Sequence, residues 1–566
     1  MVTISLNRHD AFRTNSLVSP RSIHMSKRSF QLLGILVLGG SLMQAQARVL
    51  PDDVRAVADR ISAAQLKRDL DYFASDELLG RNTPSPGFDK AAAHIVARLE
   101  KAGVKPLGDE GTYYQRYEMH DTQVDAPAAG LEIGGKRFGL GSDFVVRSLA
   151  APVSGTFAVV YVGHGWVIPA KDVDPYAGVD VKGKLVLAHG PRALPKGIDI
   201  PQLGRITVGA SNVIAEAARR GAAGVVFIPH DVSDADWKGM QTQTARRREL
   251  VPPVPSVYAA VPSTAVLLSR AVTEALFADE RLPGADMLTR GTSSDYPPSF
   301  ELSTRVTLSL PVTNTVHRPY NVVALIEGSD PVLKNEYITI ESHLDGAVGT
   351  RTVAGDAIYN SADDNASGSA ANLSIAELMM SAPRPKRSLI FIWDSGEEQG
   401  LWGTRHFVGN PPVPLERIVA HINIDMIGAN RAPGSPDSAE ARVTGPNEVL
   451  LIGPRVLSAS ADALLERVNA EYLKLVFDRS WDSADKEFFY PRTDAGPFLE
   501  RGILTIGFTT GFHDRYHLPA DEASALDPKK MEAIARTIFA SAWALADTPE
   551  RPRIDKPIPP TVLRYK

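Results

Sequence analysis

The chain has 566 residues, of which 44% are hydrophobic and 22% charged, with a formal net charge of -5. That is a globular composition at about three domain-lengths, with no basic stripe to suit a nucleic acid. Cysteine is absent, which excludes disulfides, thiolate metal sites and cysteine nucleophiles.

At the N-terminus Lys27-Arg28 precede the apolar run Phe30–Met43, and Ala45-Gln46-Ala47 supplies small residues for cleavage. This is a secretory signal layout, too short and glycine-rich for a membrane span. Residues 1–47 are therefore read as extension plus signal peptide, with Met25 as an alternative start and no stable membrane anchor.

Residues 48–130 are read as the first part of the domain that resumes at 296, and Asp52–Met119 within them as helical, then irregular. Phe88–Leu99 has apolar residues at helical spacing with Gly103 as a stop. Arg81, in the loop Glu77–Arg81, reads as a solvated arginine. From about Leu131 the texture turns to β: Phe157–Val162, Lys184–Ala188 and Ala223–Ile228 read as strands, and Ser211–Arg220 as a helix closed by Gly221. Residues 131–295 are expected to form a separate β-rich unit. Its His164, Asp174, Asp180 and His230 fall at no metal-like spacing.

Residues 296–550 carry the chemistry. Glu301–Leu310 and Asn321–Ile326 lead into three apolar runs, Tyr337–Ile340, Ser388–Trp393 and Ile418–Ile424, that read as buried strands; Gly502–Phe508 is a fourth. Asn430–Asp437 reads as a surface loop. Asp462–Leu475 and the stretch opened by Asp527-Pro528 read as helices. Residues 551–566 form a proline-rich tail.

Acidic or imidazole side chains follow each run. His343 and Asp345 follow the first, Glu397 and Glu398 the second, and Asp425 closes the third. His513–His517 follows the fourth, and Asp363–Gly368 opens the helix Ala370–Met380. Loops past the carboxyl ends of strands form the ligand crevice of an open α/β sheet. His343, His517, Asp364, Glu398 and Asp425 make a nitrogen–oxygen donor set that suits Zn²⁺, with Mn²⁺ or Co²⁺ as alternatives. Five ligands suffice for two metals if one carboxylate bridges, at a spacing of about 3.5–4 Å. Asp345 is placed to accept the second ring N–H of His343. In Glu397-Glu398 one member can ligate while the other acts as a general base.

At His343-Leu344-Asp345, Asp363–Gly368, Glu397–Leu401, Asn423–Met426 and Tyr516-His517 with Asp521, the chain resembles the co-catalytic zinc exopeptidases. These include secreted bacterial aminopeptidases, glutamate carboxypeptidase and the transferrin receptor. The resemblance extends to Leu78–Arg81 and to residues 131–295, which look like an inserted protease-associated domain. It implies an α/β fold, with a mixed central sheet flanked by helices, and two Zn²⁺ per chain. It also implies that His343 and Asp425 hold one zinc, that Glu398 and His517 hold the other, and that Asp364 bridges. Glu397 would be the base and Tyr516 an oxyanion donor, with His513 outside the set. Thr493–Gly496 departs from the pattern, since many relatives carry histidine after the aspartate.

The resemblance implies an exported, periplasmic or secreted metallopeptidase acting on peptides. An aminopeptidase is favoured because Arg351 and Arg405 are the only arginines in the flanking segments 346–358 and 400–407 and form no carboxylate-binding cluster. A carboxypeptidase of the glutamate carboxypeptidase type, a receptor-like binding protein and a single-metal glutaminyl-cyclase-like transferase are the alternatives.

Overall fold

The structure, a computed structural model, describes residues 48–190, 193–198, 210–230, 232–241, 246–251, 263–349, 352–432, 443–483 and 492–559. The signal segment, Arg351, most of the loop expected at 430–437 and the end of the tail lie outside the described residues.

The central sheet has nine strands among the described residues. Its middle is four adjacent parallel strands, in the order Ser388–Asp394, Tyr337–His343, Ile418–Ile424 and Leu504–Thr509. Tyr320–Ile326 pairs antiparallel on one flank and Glu448–Ile452 on the other. The sheet is mixed, as expected. Apart from the half-buried Tyr337, all residues of the four middle strands are buried, which suits their largely apolar runs.

Helices cover both faces. Gly368–Met379 lies against one face, with residues of every heptad position buried. Gly368 is required there, because a Cβ would stand 2.5 Å from the Ile424 carbonyl oxygen. Pro86–Ala102 starts at Ser85, whose hydroxyl accepts from the Phe88 N–H, and ends at Gly103 with φ 75°. Pro528–Asp547 is capped by Asp527, which accepts from the N–H groups of Lys529 and Lys530. Each start uses an orphan amide of the first turn.

A second sheet, of eight strands among the described residues, has its own apolar core. Val153–Tyr161, Leu185–His189, Gly224–Ile228 and Ala265–Leu268 run parallel within it. The helices Val213–Arg219, Arg270–Leu276 and Gly284–Ser293 belong to the same stretch, so the unit is more helical than its sequence texture suggested. Strand Phe300–Leu310 pairs inside this sheet, so the unit runs beyond residue 295. A three-stranded sheet, Arg246–Val251, Glu118–Val124 and Val312–His317, is separate from both.

Candidate metal centre

Side chains alternate between the faces of a strand, and that rule sorts the site. Register pairs Thr339 with His421 and Glu341 with Asn423 on one side, and His343 with Asp394 on the other. Thr339, Glu341 and His343 therefore share one face with His421, Asn423 and Asp425. The opposite face carries Ile338, Ile340, Phe391, Trp393, Ile422 and Ile424 into the main core. A polar column thus climbs one face of the sheet and opens at the carboxyl edge.

At that edge the structure brings all five expected ligands together. His343 Nε2 stands 3.2 Å from Asp364 Oδ1 and 3.4 Å from Asp425 Oδ1. His517 Nε2 stands 3.1 Å from Asp364 Oδ2 and 3.0 Å from Glu398 Oε2. The ligand atoms of His343, Asp364 and Asp425 lie within 4.8 Å of one another, as do those of Asp364, Glu398 and His517. Asp364 belongs to both groups and offers a different oxygen to each.

The donors fit cations. His343 Nε2, Glu398 Oε1 and Asp425 Oδ1 are buried and make no hydrogen bond within the protein. Buried polar atoms are seldom left so, and three on one site, all lone-pair donors, match the Zn²⁺ ligand chemistry of imidazole and carboxylate. The tautomer of His343 agrees, since its Nδ1 is 3.0 Å from the Asp345 carbonyl oxygen, which leaves the Nε2 lone pair facing the carboxylates.

Asp345 is thus corrected in detail. Its main-chain oxygen meets the His343 ring, while its carboxylate is 3.9 Å from that ring. The carboxylate instead accepts from the N–H groups of Gly396 and Glu397 at 2.8 and 3.2 Å. It braces the turn that delivers Glu397, where Gly396 takes φ 75°. Arg81 is corrected outright. It is fully buried and donates to the carbonyls of Phe73, Leu344, Asn360 and Ser361, where a solvated side chain was expected. Its burial holds the guanidinium down at about 10.

Asp521 accepts from the N–H groups of Asp363 and Asp364, and so fixes the loop that presents the shared carboxylate. His513 stands beside Asp363 and Asp521, at 3.4 and 3.7 Å, and joins neither ligand group. His164 and His230 lie in the second sheet's unit and in no cluster of metal donors among the described residues.

Carboxylates outnumber imidazoles in the site. Burial and the nearby Asp364 push Glu398 up to about 8. Burial opposes a charge on His517, but Asp364 and Glu398 outweigh it and lift the imidazole to about 10. Burial would raise Asp364 too, yet His343 and His517 hold it below the carboxylate range. Glu397 is pushed well above its ordinary value, first by burial.

A pocket opens over these groups. Glu397, Asp364, Asp425 and Tyr516 line it, together with Arg492 and Phe512. The Tyr516 ring stacks on His517 at 3.7 Å. Arg492 and Phe512 were not found from the sequence, since neither sits in a ligand motif. Gln399, next to Glu398, accepts from Arg248 of the three-stranded sheet and donates to the Thr83 carbonyl, so residues far apart in the chain meet at the rim.

Residues 321–542 match the sequence model of peptidase family M28. An aminopeptidase of Pseudomonas aeruginosa is 33% identical over 194 residues, or 34% of this chain and 31% of that protein. Leupeptin-inactivating enzyme 1 of Streptomyces exfoliatus is 37% identical over 112 residues, 19% of this chain and 23% of the relative. The chain thus spans about a third or less of the length of these curated relatives. The solved aminopeptidase from Aneurinibacillus sp. strain AM-1 superposes with a TM-score of 0.52 at 18% identity, covering 89% of this chain and 98% of that one. At that identity it attests to the fold alone.

Proposed function

We propose, from the match of residues 321–542 to the model of peptidase family M28, an exported, zinc-dependent exopeptidase that removes N-terminal residues from peptides. The observation that carries this reading is the shared carboxylate: Asp364 meets His343 with one oxygen and His517 with the other. His343 and Asp425 would hold one zinc, Glu398 and His517 the other, and Asp364 both. Bound there, the ions would lower the pKa of an attacking water and polarise the scissile carbonyl.

The protein's own groups do the rest. Glu397 lines the pocket beside the ligands and is assigned no ligand role. It accepts the proton of the attacking water and returns it to the leaving amine. Tyr516, stacked on His517, donates its hydroxyl to the carbonyl oxygen as charge develops there. Asp345 keeps Glu397 in place through its hydrogen bonds to the backbone of that turn. Asp425 and Glu397 supply negative charge for a free amine. Residues 131–295, with strand Phe300–Leu310 of the same sheet, as an inserted domain of the protease-associated type, shape access to the crevice and supply no ligand.

Export rests on the signal layout at 1–47; among the described residues no helix is long and apolar enough to cross a membrane. A carboxypeptidase is the alternative that one observation favours, because Arg492 lines the pocket and a guanidinium matches a carboxylate. The deciding experiment pairs aminoacyl anilides bearing a free amine with the same compounds acetylated, and adds peptides blocked at either end. Hydrolysis of free-amine anilides is expected. Carboxyl-end cleavage of amine-blocked peptides, with the anilides untouched, would replace the aminopeptidase by a carboxypeptidase.

A further inference from the structure

Below the ligands the polar column contains a second group of donors that the proposed reaction does not use. Glu341, Asp394 and Asp494 each offer a carboxylate oxygen, and these oxygens lie within 4.8 Å of one another. They come from three elements: Glu341 from strand Tyr337–His343, Asp394 from the end of strand Ser388–Asp394, and Asp494 from the start of helix Ala495–Glu500. Their exposures are 0%, 0% and 1%.

Few protein donors answer them. Glu341 Oε2 accepts from the Asn423 side-chain amide at 2.8 Å. The Thr404 hydroxyl sits against both Asp394 Oδ2 and Asp494 Oδ1, and one hydroxyl has one proton, so it satisfies one of the two. Glu341 Oε1, Asp394 Oδ1 and Asp494 Oδ2 are buried and make no hydrogen bond within the protein.

A fourth buried side chain lies beside Glu341. His421 is 0% exposed, with its ring stacked on Phe498 at 3.8 Å. Its Nδ1 pairs with Thr339 Oγ1 at 2.9 Å. Thr339 Oγ1 also stands 3.4 Å from the Ala420 carbonyl oxygen. His421 Nε2 makes no hydrogen bond and stands 3.7 Å from Glu341 Oε2.

We propose that the carboxylates of Glu341, Asp394 and Asp494 form a further divalent-cation site, structural in role, separate from the ligand groups around Asp364 and flanked by His421 on the Glu341 side. Three carboxylates buried together are costly without a counter-charge. Of the two nearby imidazoles, His343 is engaged by Asp364 and Asp425, and His421 is fully buried against Phe498. A set of carboxylate oxygens suits a hard ion such as Mn²⁺. The ion would tie the strand ends to the helix that follows Asp494. Because the donors are buried, it enters as the chain folds and exchanges slowly. The site does not depend on the peptidase reading.

The test is a metal count on the purified full chain produced with Mn²⁺, then dialysed against a chelator, with elemental mass spectrometry as the readout. The double variant Asp364→Asn/His517→Ala, which disables the ligand groups around Asp364, is expected to retain one chelator-resistant equivalent. Glu341→Gln, or Asp494→Asn if circular dichroism shows that Glu341→Gln does not fold, is expected to lose that equivalent. Diffraction at the manganese edge should place an anomalous peak among the three carboxylates. No retained equivalent in the double variant, or an unchanged count in the folded Glu341→Gln or Asp494→Asn protein, overturns the proposal. Either result leaves the metal centre at Asp364 to be judged on its own count.

Discussion

The guanidinium of Arg81 donates to the carbonyl oxygen of Leu344 at 2.9 Å, and Leu344 is the residue between His343 and Asp345. The same guanidinium holds the carbonyls of Asn360 and Ser361, just ahead of the loop that presents Asp364. One side chain thus sets two backbone segments that deliver a proposed ligand each. Arg81→Met should cost about 3 kcal/mol or more, because it strands several buried carbonyls. It should also weaken Zn²⁺ binding by about 10–100-fold, as loss of a ligand-orienting partner does. Lysine should not rescue it, since a point charge cannot reproduce the planar fork. Calorimetric Tm and a competitive zinc titration check both. An unchanged zinc affinity in a destabilised Arg81→Met protein would reduce Arg81 to a packing role.

Arg81 also marks the limit of what the sequence discloses. The proposed ligands could be picked out because they stand just past apolar runs, and strand Ile418–Ile424 has the bounds its composition predicts. Proximity in sequence to a strong signal carried those assignments. Arg81 contacts Leu344 across 263 residues, and nothing local separates it from a solvated arginine. Glu341, His421 and Asn423 did leave a signal: polar residues at a spacing of two inside strands otherwise apolar, which is how a polar face on a buried strand reads. Arg492 and Phe512 left none, because pocket walls are set by how loops close over the sheet. In the second sheet the parallel order of Val153–Tyr161, Leu185–His189 and Gly224–Ile228 is likewise a property of chain tracing that strand composition does not encode.

Glu397→Gln separates base from ligand. It keeps size and hydrogen bonding but cannot accept the proton, so turnover should fall by about 10²–10⁴-fold while both proposed metals stay bound. Glu398→Gln should lose metal as well as activity, since Glu398 stands 3.0 Å from His517 Nε2. Metal analysis of the two proteins side by side is the check. Metal loss from Glu397→Gln instead would reverse the two assignments.

The second sheet's unit should be acid-sensitive. Burial holds His189 down at about 3 and His164 at about 4, against an ordinary value of 6.5. Between those values the unfolded chain binds protons that the folded chain refuses, so stability rises with pH there. It is complete above about pH 6.5 and falls as the pH drops toward 4, by about 1.4 kcal/mol per pH unit for each imidazole. His189→Gln, which keeps a partner for the Tyr161 hydroxyl that now meets His189 Nε2 at 2.9 Å, should flatten the slope of urea midpoint against pH between 6.5 and 4. An unaltered slope would mean that this imidazole does not govern the acid response. Metal content of the variant should match that of the parent.

Arg492 is where the choice between amino- and carboxypeptidase becomes a matter of one side chain. It is exposed, lines the pocket with Glu397 and Asp425, and its guanidinium carbon lies 5.8 Å from the Phe512 ring centroid. A guanidinium at a pocket wall can take a carboxylate through two parallel hydrogen bonds. In an aminopeptidase such a carboxylate comes near the scissile bond only in short substrates, a dipeptide above all. Arg492→Met should therefore raise KM for dipeptides by about tenfold or more, the scale of a charged hydrogen bond. It should leave aminoacyl anilides, which have no carboxylate, within a few-fold. In a carboxypeptidase the same change would instead strike every peptide with a free carboxyl end, whatever its length, and amidation of that end would mimic the mutation. An equal loss on anilides and dipeptides would mean that Arg492 acts through its contact with Phe512, shaping the pocket and binding no substrate carboxylate. Steady-state kinetics on matched anilide, dipeptide, dipeptide amide and hexapeptide substrates distinguishes these outcomes by which KM moves.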